Sequence, residues 1–189
     1  MRSSVAIVGG GVAGSALAIE LGRRGVPVRL YEKARHPRFK PCGEGILPHG
    51  VRALLEIVGE LPEVPRVRGL RLVAGKSSVE VDFPEGFGLV ARRDRFDAWL
   101  FAKAASTPNV EAREGTAYTG DDGASFVVGA DGAKSMFHRL PGMEAVPASP
   151  RRIGLSTHVA GLSGVRDRVE VFFHDDGELY LAPVGHGEP

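Results

Sequence analysis

The run Val5-Ala6-Ile7-Val8-Gly9-Gly10-Gly11-Val12-Ala13-Gly14 limits what this chain can fold into more than any other part of it. Val5 to Val8 is a short, unbroken apolar stretch, the pattern of a strand buried on both faces of a parallel sheet. Gly9 to Gly11 reads as a turn. Ala13 to Arg24 then reads as a helix with Ala13, Ala16, Leu17 and Leu21 on one face, and Gly25 stands at the residue after its C-cap. Val28 to Tyr31 returns as a second strand. Strand, glycine turn, helix and strand make a βαβ unit of about 30 residues. Glu32 closes the second strand, eighteen positions after Gly14.

That arrangement carries chemistry. The first N–H groups of a helix have no partner within it, and together with the helix dipole they attract anions. Gly9 permits the tight turn, Gly11 lets the backbone approach a diphosphate, and Gly14 lets the helix lie close to the strand. A carboxylate at Glu32 can accept hydrogen bonds from an adenosine ribose, and its charge repels a 2′-phosphate, which argues against NADP in this site. The unit predicts dinucleotide binding without separating NAD from FAD.

Further along, residues 34–50 hold three prolines and three glycines and read as a long irregular loop of the kind that carries function. Val51 to Val58 suits a short helix. "GLRLVAG" and "SSVEVDF" read as a hairpin with alternation at Val79, Val81 and Phe83. Asp94 to Ala105 reads as a helix that Asp94 can cap and Thr107-Pro108 stops. Ser125 to Ser135 contains another buried-strand run. From Arg151 the pattern becomes separated strands, "IGLSTHVAG", "RVEVFFHD" and "ELYLAPVG". The Pro-rich stretch Pro141–Pro150 separates a first domain, residues 1–145, from a second, residues 146–189.

Composition adds exclusions. Lys plus Arg is 24 against 23 Asp plus Glu, without blocks of like charge, so nucleic acid is not an expected partner. No apolar run reaches the roughly 20 residues of a membrane span. A cleaved signal peptide would remove the first strand, and a single cysteine, Cys42, fits a reducing compartment, so the expected location is cytoplasmic. The six histidines show no metal spacing, and no metal is assigned.

Four stretches together resemble the FAD-dependent oxidoreductases that include geranylgeranyl reductases and the para-hydroxybenzoate hydroxylase type of aromatic-ring hydroxylase, with flavin-dependent halogenases as near relatives. They are the glycine fingerprint with Glu32, "KPCGEGILPHG", "RRDRFDAWLFAKA" and "GADGAKS". The resemblance implies an α/β fold: a Rossmann-like FAD/NAD(P)-binding domain followed by the beginning of a mainly β substrate domain. The family's third motif, a downstream Gly-Asp pair, does not occur before Pro189, so the resemblance implies a C-terminally truncated member. An unpaired edge on a cut substrate sheet would favour a homodimer.

By that resemblance Gly9, Gly11, Ala13 and Gly14 cradle the FAD diphosphate and Glu32 holds the ribose. Lys33 flanks the adenine or is a solvated charge. Cys42, Gly43 and Gly45 lie beside the flavin, where an absent side chain lets backbone N–H groups approach the ring. Cys42 is either a catalytic thiol, favoured by Arg38 and Lys40 if they are close, or a small inert residue. Glu44 faces that site or solvent. Arg93, or the adjacent Arg92, reaches toward the phosphates. Ala117 offers backbone to the adenine, and Asp131 bonds the ribose or ribitol side, caps the following helix, or does both. The expected activity is a flavin-dependent reduction of an apolar or prenyl-type small molecule, with NADH or NADPH as transient donor. Flavin-dependent hydroxylation or halogenation is the alternative, and a dinucleotide-binding module without catalysis is the alternative of a different class.

Overall fold

The computed structural model describes residues 4–145 and 153–185. In chain order the elements are β1 (Val5–Val8), α1 (Val12–Arg23), β2 (Val28–Glu32), β3 (Gly45–Ile46), α2 (Pro48–Val58), β4 (Arg66–Val67), β5 (Gly69–Ala74), β6 (Ser77–Asp82), β7 (Gly88–Val90), α3 (Arg93–Ala105), β8 (Val110–Glu114), β9 (Phe126–Gly129), β10 (Arg168–His174) and β11 (Gly177–Leu181), with a 3₁₀ turn at Met136–Arg139. The chain divides into two compact units, each of two sequence segments: the described residues of Met1–Phe39 with Asp94–Ile153, and those of Lys40–Arg93 with Gly154–Pro189. The stretch read as a domain boundary, Pro141–Pro150, runs into residues 146–152, which lie outside the described residues.

The first unit is a four-stranded sheet in the order β8-β2-β1-β9, parallel throughout. Parallel neighbours need a crossover, and α1 supplies the one between β1 and β2. Ala6, Ile7, Val28 and Leu30 of the strands are buried with Ala18 and Ile19 of α1 and Leu100, Phe101 and Ala104 of α3. The helix starts one residue earlier than expected, and its buried face differs from the expected one: Gly14, Ser15, Ala18, Ile19 and Gly22 face inward, while Ala13 is exposed and Ala16, Leu17 and Leu21 are half-buried. Closeness explains the shift. A Cβ on Gly22 would stand 2.6 Å from Val110 Cγ2, and one on Gly14 would overlap Gly9 O, so at these two points only glycine fits the approach. Gly25 takes the expected left-handed conformation, φ 76°, after the helix.

β8 and β9 lie at opposite edges of this sheet, so residues 115–125 must cross it. They are pinned on the way. Asp122 accepts from Arg29 Nε at 2.7 Å and from the Tyr31 hydroxyl at 2.8 Å, and Tyr118 meets Tyr31 edge-on at 5.1 Å. Burial pushes the Tyr31 hydroxyl above its usual pKa, and the bond to Asp122 adds to the rise. Burial also pushes the Asp122 carboxyl up, but the bonds from Tyr31, the Ala124 amide and Arg29 outweigh it and hold Asp122 below the usual carboxylate range.

The second unit holds a four-stranded sheet, β11-β10-β5-β6, and a three-stranded one, β3-β7-β4. β5 and β6 form the expected hairpin, with Leu72 opposite Val79 and Leu70 opposite Val81, although Val79 and Val81 remain exposed. β10 runs parallel to β5 and antiparallel to β11. The expected strand at "IGLSTHVAG" does not form: residues 153–159 carry no ladder, and Ile153 and Leu155 are 90% and 95% exposed. Side chains tie this segment down instead, as described below. No helix among the described residues is long and apolar enough to cross a membrane.

Candidate functional site

The three fingerprint glycines are glycine for different reasons. Gly9 has φ 111°, a conformation L side chains rarely adopt, and a Cβ there would stand 2.6 Å from Ala130 C and 2.8 Å from Asp131 Cα. Gly14 cannot carry a Cβ without meeting Gly9 O, Gly9 C at 3.0 Å and Ile7 Cγ2 at 3.3 Å. Gly11 is under neither constraint. Its φ is −79°, in the extended region, and an added Cβ would meet only Arg38 Nη2 at 3.3 Å and Asp97 Oδ2 at 4.0 Å. Gly11 is the N-cap of α1, and among the described residues no side-chain hydrogen bond caps the helix there.

Beside this turn lies a cluster of charge. Glu32 is 6% exposed and its carboxylate accepts from the Gly10 amide at 3.0 Å and the Ala34 amide at 2.9 Å. Arg38 Nη2 stands 3.4 Å from Glu32 Oε2 and 3.3 Å from Asp97 Oδ2. Asp97 is fully buried. Phe101, one turn further along α3, packs where a Cβ on Gly10 would stand, 2.7 Å from Cε2, so α3 holds both the turn and the carboxylate pair in place. Neither Arg38 nor Asp97 was singled out from the sequence for the dinucleotide site. Asp97 did leave a signal there: it shares the buried helix face of Phe101 and Ala104, and an acid on such a face needs a cation.

Asp131 lies against Gly9. Its Oδ2 accepts from the Met136 amide at 2.7 Å and so caps the 3₁₀ turn, while its buried Oδ1 has no partner among the described residues. Burial pushes this carboxyl up, and bonds from Ser135 and the Met136 amide overcome that and lower it below the usual range.

At the ends of β2 and β8, Glu114 Oε1 accepts from the His36 amide at 2.7 Å and lies 2.9 Å from His36 Nδ1. The imidazole lies against Phe101, with centroids 4.8 Å apart and the rings tilted by 32°. The His36 amide bond is the main reason the Glu114 carboxyl lies below its ordinary value. Glu114 and Asp122 are therefore both depressed in the folded state. Their contribution to stability is complete above the unfolded carboxylate pKa of about 4 and is lost as pH falls through the lower folded values. Thermal melts are expected to be flat from neutral pH down to about 5 and to drop below about 4. Glu114→Gln should lower the melting temperature at pH 7 by about 2–6 °C and flatten part of that acid limb. An unchanged acid limb in this variant would rule out Glu114 as a source.

The remaining expected site residues divide between the units. Lys33 and Ala117 are exposed in the first. Cys42, Gly43, Gly45 and Arg93 belong to the second. A Cβ on Gly43 would meet nothing within 4 Å, and one on Gly45 only Gly43 O at 4.0 Å, so packing within the protein does not demand either glycine. The half-buried Cys42 accepts the Glu44 amide at Sγ, 3.4 Å away. Glu44 does not point to solvent. It holds the left-handed φ of 60°, its carbonyl takes the Ala91 amide at 2.9 Å, its Oε1 takes the Arg93 amide at 3.1 Å, and its Oε2 lies 2.9 Å from His158 Nε2. Ser156 Oγ donates to Cys42 O at 3.2 Å. These two side chains hold residues 153–159 where a strand ladder was expected. Among the described residues, no group of three or more His, Cys, Asp or Glu side chains could hold a metal.

A parallel sheet whose first crossover presents a bare glycine turn beside a strand-end carboxylate defines a Rossmann-like dinucleotide-binding protein. Residues 7–57 match the family described as NAD(P)-binding Rossmann-like domain. The menaquinone reductase of Mycobacterium tuberculosis is 31% identical over 98% of this chain, and the chain covers 53% of that protein. The geranylgeranyl diphosphate reductase of Rhodobacter capsulatus is 33% identical over 55% of this chain and 26% of its own length. Among solved structures, the myxobacterial chondrochloren halogenase CndH, one of the FAD-dependent halogenases, matches with a TM-score of 0.67 at 22% identity, over 97% of this chain and 50% of that one, a likeness of fold. The chain is thus similar in sequence to a menaquinone reductase and a geranylgeranyl diphosphate reductase, and in fold to FAD-dependent enzymes. It spans about half the length of the menaquinone reductase it matches.

Proposed function

We propose that this chain supplies the FAD-binding part of a cytoplasmic reductase acting on an apolar, prenyl-type small molecule. The observation that carries this reading is the turn at Gly11, the one fingerprint glycine that the protein's own packing and backbone leave room to replace. Gly9, Gly11, Ala13 and Gly14 cradle the diphosphate at the uncapped end of α1. Glu32 takes the ribose hydroxyls, with Lys33 and the backbone of Ala117 toward the adenine. The unpartnered Oδ1 of Asp131 is an acceptor waiting for a hydroxyl donor, which suits a ribose or ribitol. Cys42, Gly43, Gly45 and Arg93 are assigned to the flavin side, and the open space over both glycines supports that assignment. Residues 1–145 make up the nucleotide-binding part, and residues 146–189 begin the substrate side.

FAD, when bound, supplies the hydride chemistry, and the chain's part is to bind and orient it. NADH or NADPH is the assigned donor. The likeness to menaquinone reductase along almost the whole chain supports the reductase branch over oxygenation.

The purified protein is expected to be yellow, to bleach with NADH or NADPH in the absence of oxygen, and to recover its colour when a menaquinone is added. Bleaching followed by peroxide release in air, with no reaction toward the quinone, would move it to the monooxygenase and halogenase branch. Bound flavin that neither donor reduces would leave a binding module. A colourless protein that takes up no FAD on incubation would end the reading altogether.

A further inference from the structure

The pair at Glu44 and His158 goes beyond these assignments. Glu44 stands between Gly43 and Gly45 with φ 60°, a conformation that glycine adopts freely and glutamate does not. Its carboxylate offsets that strain. Oε1 accepts from the Arg93 amide at 3.1 Å, and Oε2 lies 2.9 Å from His158 Nε2. The Glu44 side chain is 10% exposed and the His158 side chain 31%. An ion pair open to water on one side adds little to stability, so folding alone does not account for it. The segment that carries His158 makes no strand ladder. It runs beside the loop with Ser156 on Cys42 and His158 on Glu44, two residues apart on both sides, and so brings the imidazole to the loop of Cys42, Gly43 and Gly45.

The two ring nitrogens are not equivalent. A carboxylate oxygen accepts, so Nε2 carries the hydrogen of the bond to Glu44. Nδ1 has no hydrogen-bond partner among the described residues. An imidazole held at one nitrogen by a carboxylate presents the other in a fixed direction, and the carboxylate stabilises the positive charge when that nitrogen takes up a proton.

We infer that His158 supplies the proton of the proposed reduction from Nδ1, and that Glu44 is the positioning residue that orients its ring and stabilises its charge. This rests on the reductase reading above and deepens it. The reduction takes one hydride and one proton. The π bond of the acceptor breaks. One new bond to hydrogen forms with the electron pair of the hydride, which comes from the reduced nicotinamide donor by way of FAD. The former π pair takes the proton from Nδ1 to form the other. His158 is left neutral with its hydrogen on Nε2 and takes its next proton from water.

The test separates the two halves of the reaction by stopped flow without oxygen. His158→Gln is expected to keep its FAD, to bleach with NADH within about twofold of wild type, and to pass its electrons to menaquinone about 10²- to 10³-fold more slowly, the usual effect of losing a positioned acid. Imidazole added to the buffer should restore part of that loss. Glu44→Gln keeps an oxygen for the Arg93 amide but turns a donor toward Nε2, and should slow the quinone step about tenfold. Nitrogen-15 NMR of the flavin-free protein should find the hydrogen of the neutral His158 ring on Nε2 in wild type and on Nδ1 in Glu44→Gln. A purely structural strap would slow both halves of the reaction alike, or neither, and either result overturns the inference. So does a quinone step that survives His158→Gln and is lost in Cys42→Ser, or a neutral wild-type ring with no hydrogen on Nε2. Wild-type protein that binds no FAD, or that bleaches and does not react with the quinone, would overturn the reductase reading and the inference with it.

Discussion

Gly11→Val is expected to give a folded protein that has lost its flavin. The backbone at Gly11 is extended, so valine adopts it without strain, and among the described residues the atoms within 4 Å of its Cβ, chain neighbours aside, are the ends of the Arg38 and Asp97 side chains. The cost to folding is that of a poor N-cap residue, about 1 kcal/mol. The cost to binding is larger. The valine methyls would occupy the space through which a diphosphate reaches the first amides of α1, with only a small shift of the Arg38 side-chain end. Losing two charge-assisted hydrogen bonds is worth about 3–6 kcal/mol, or about a 10²- to 10⁴-fold weaker complex. Circular dichroism and a thermal melt would establish the fold, and the flavin-to-protein absorbance ratio would report the binding. Wild-type flavin content in this variant would mean that the nucleotide does not pass over Gly11.

Gly14→Ala, a change of one methyl group three residues on, is expected to have the opposite character: the first unit should fail to form. The added carbon would overlap the carbonyl oxygen of Gly9 and press on Ile7 in the centre of the parallel sheet. Neither neighbour is a flexible side-chain end. Relief requires α1 to move off β1, and that opens the layer in which Ala6, Ile7, Ala18 and Ile19 are buried. Overpacking costs about 1–3 kcal/mol where a core can adjust. A backbone-to-backbone clash leaves less room to adjust, and total stabilities are only about 5–15 kcal/mol. The expected result is insoluble or molten protein at 37 °C, measured by soluble yield and the loss of a cooperative melt. A variant that melts within about 3 °C of wild type would show that the α1–β1 contact is looser than described.

The contrast between these two substitutions shows where the sequence was legible. A glycine turn between an apolar tetrad and an alanine-rich helix is a local pattern, so β1, α1, β2 and the position of Glu32 could be read directly. The β5–β6 hairpin and α3 were legible for the same reason. The buried face of α1 was misjudged because close approach at Gly14 and Gly22 sets how the helix is rotated, and nothing local says how closely β1 and β8 approach. The strand expected at "IGLSTHVAG" was wrong for a related reason. Its alternation is real, but Ser156 and His158 bond to Cys42 and Glu44, more than a hundred residues away, in place of a backbone ladder. Glu44 was undecided from sequence for the same cause, since its partners come from Ala91, Arg93 and His158.

The sequence by itself determined that a crossover unit with a glycine turn opens this chain and that an acid closes it, because both follow from backbone sterics and burial acting within about thirty residues. Only the tertiary structure decided which fingerprint glycine meets side-chain ends rather than backbone, that the buried acid on α3 meets Arg38, and that the carboxylate of Glu44 turns inward. Those are meetings of charges far apart along the chain. Coulomb attraction and the cost of burying an unpaired ion act on distances in space, and spacing along the sequence does not encode them.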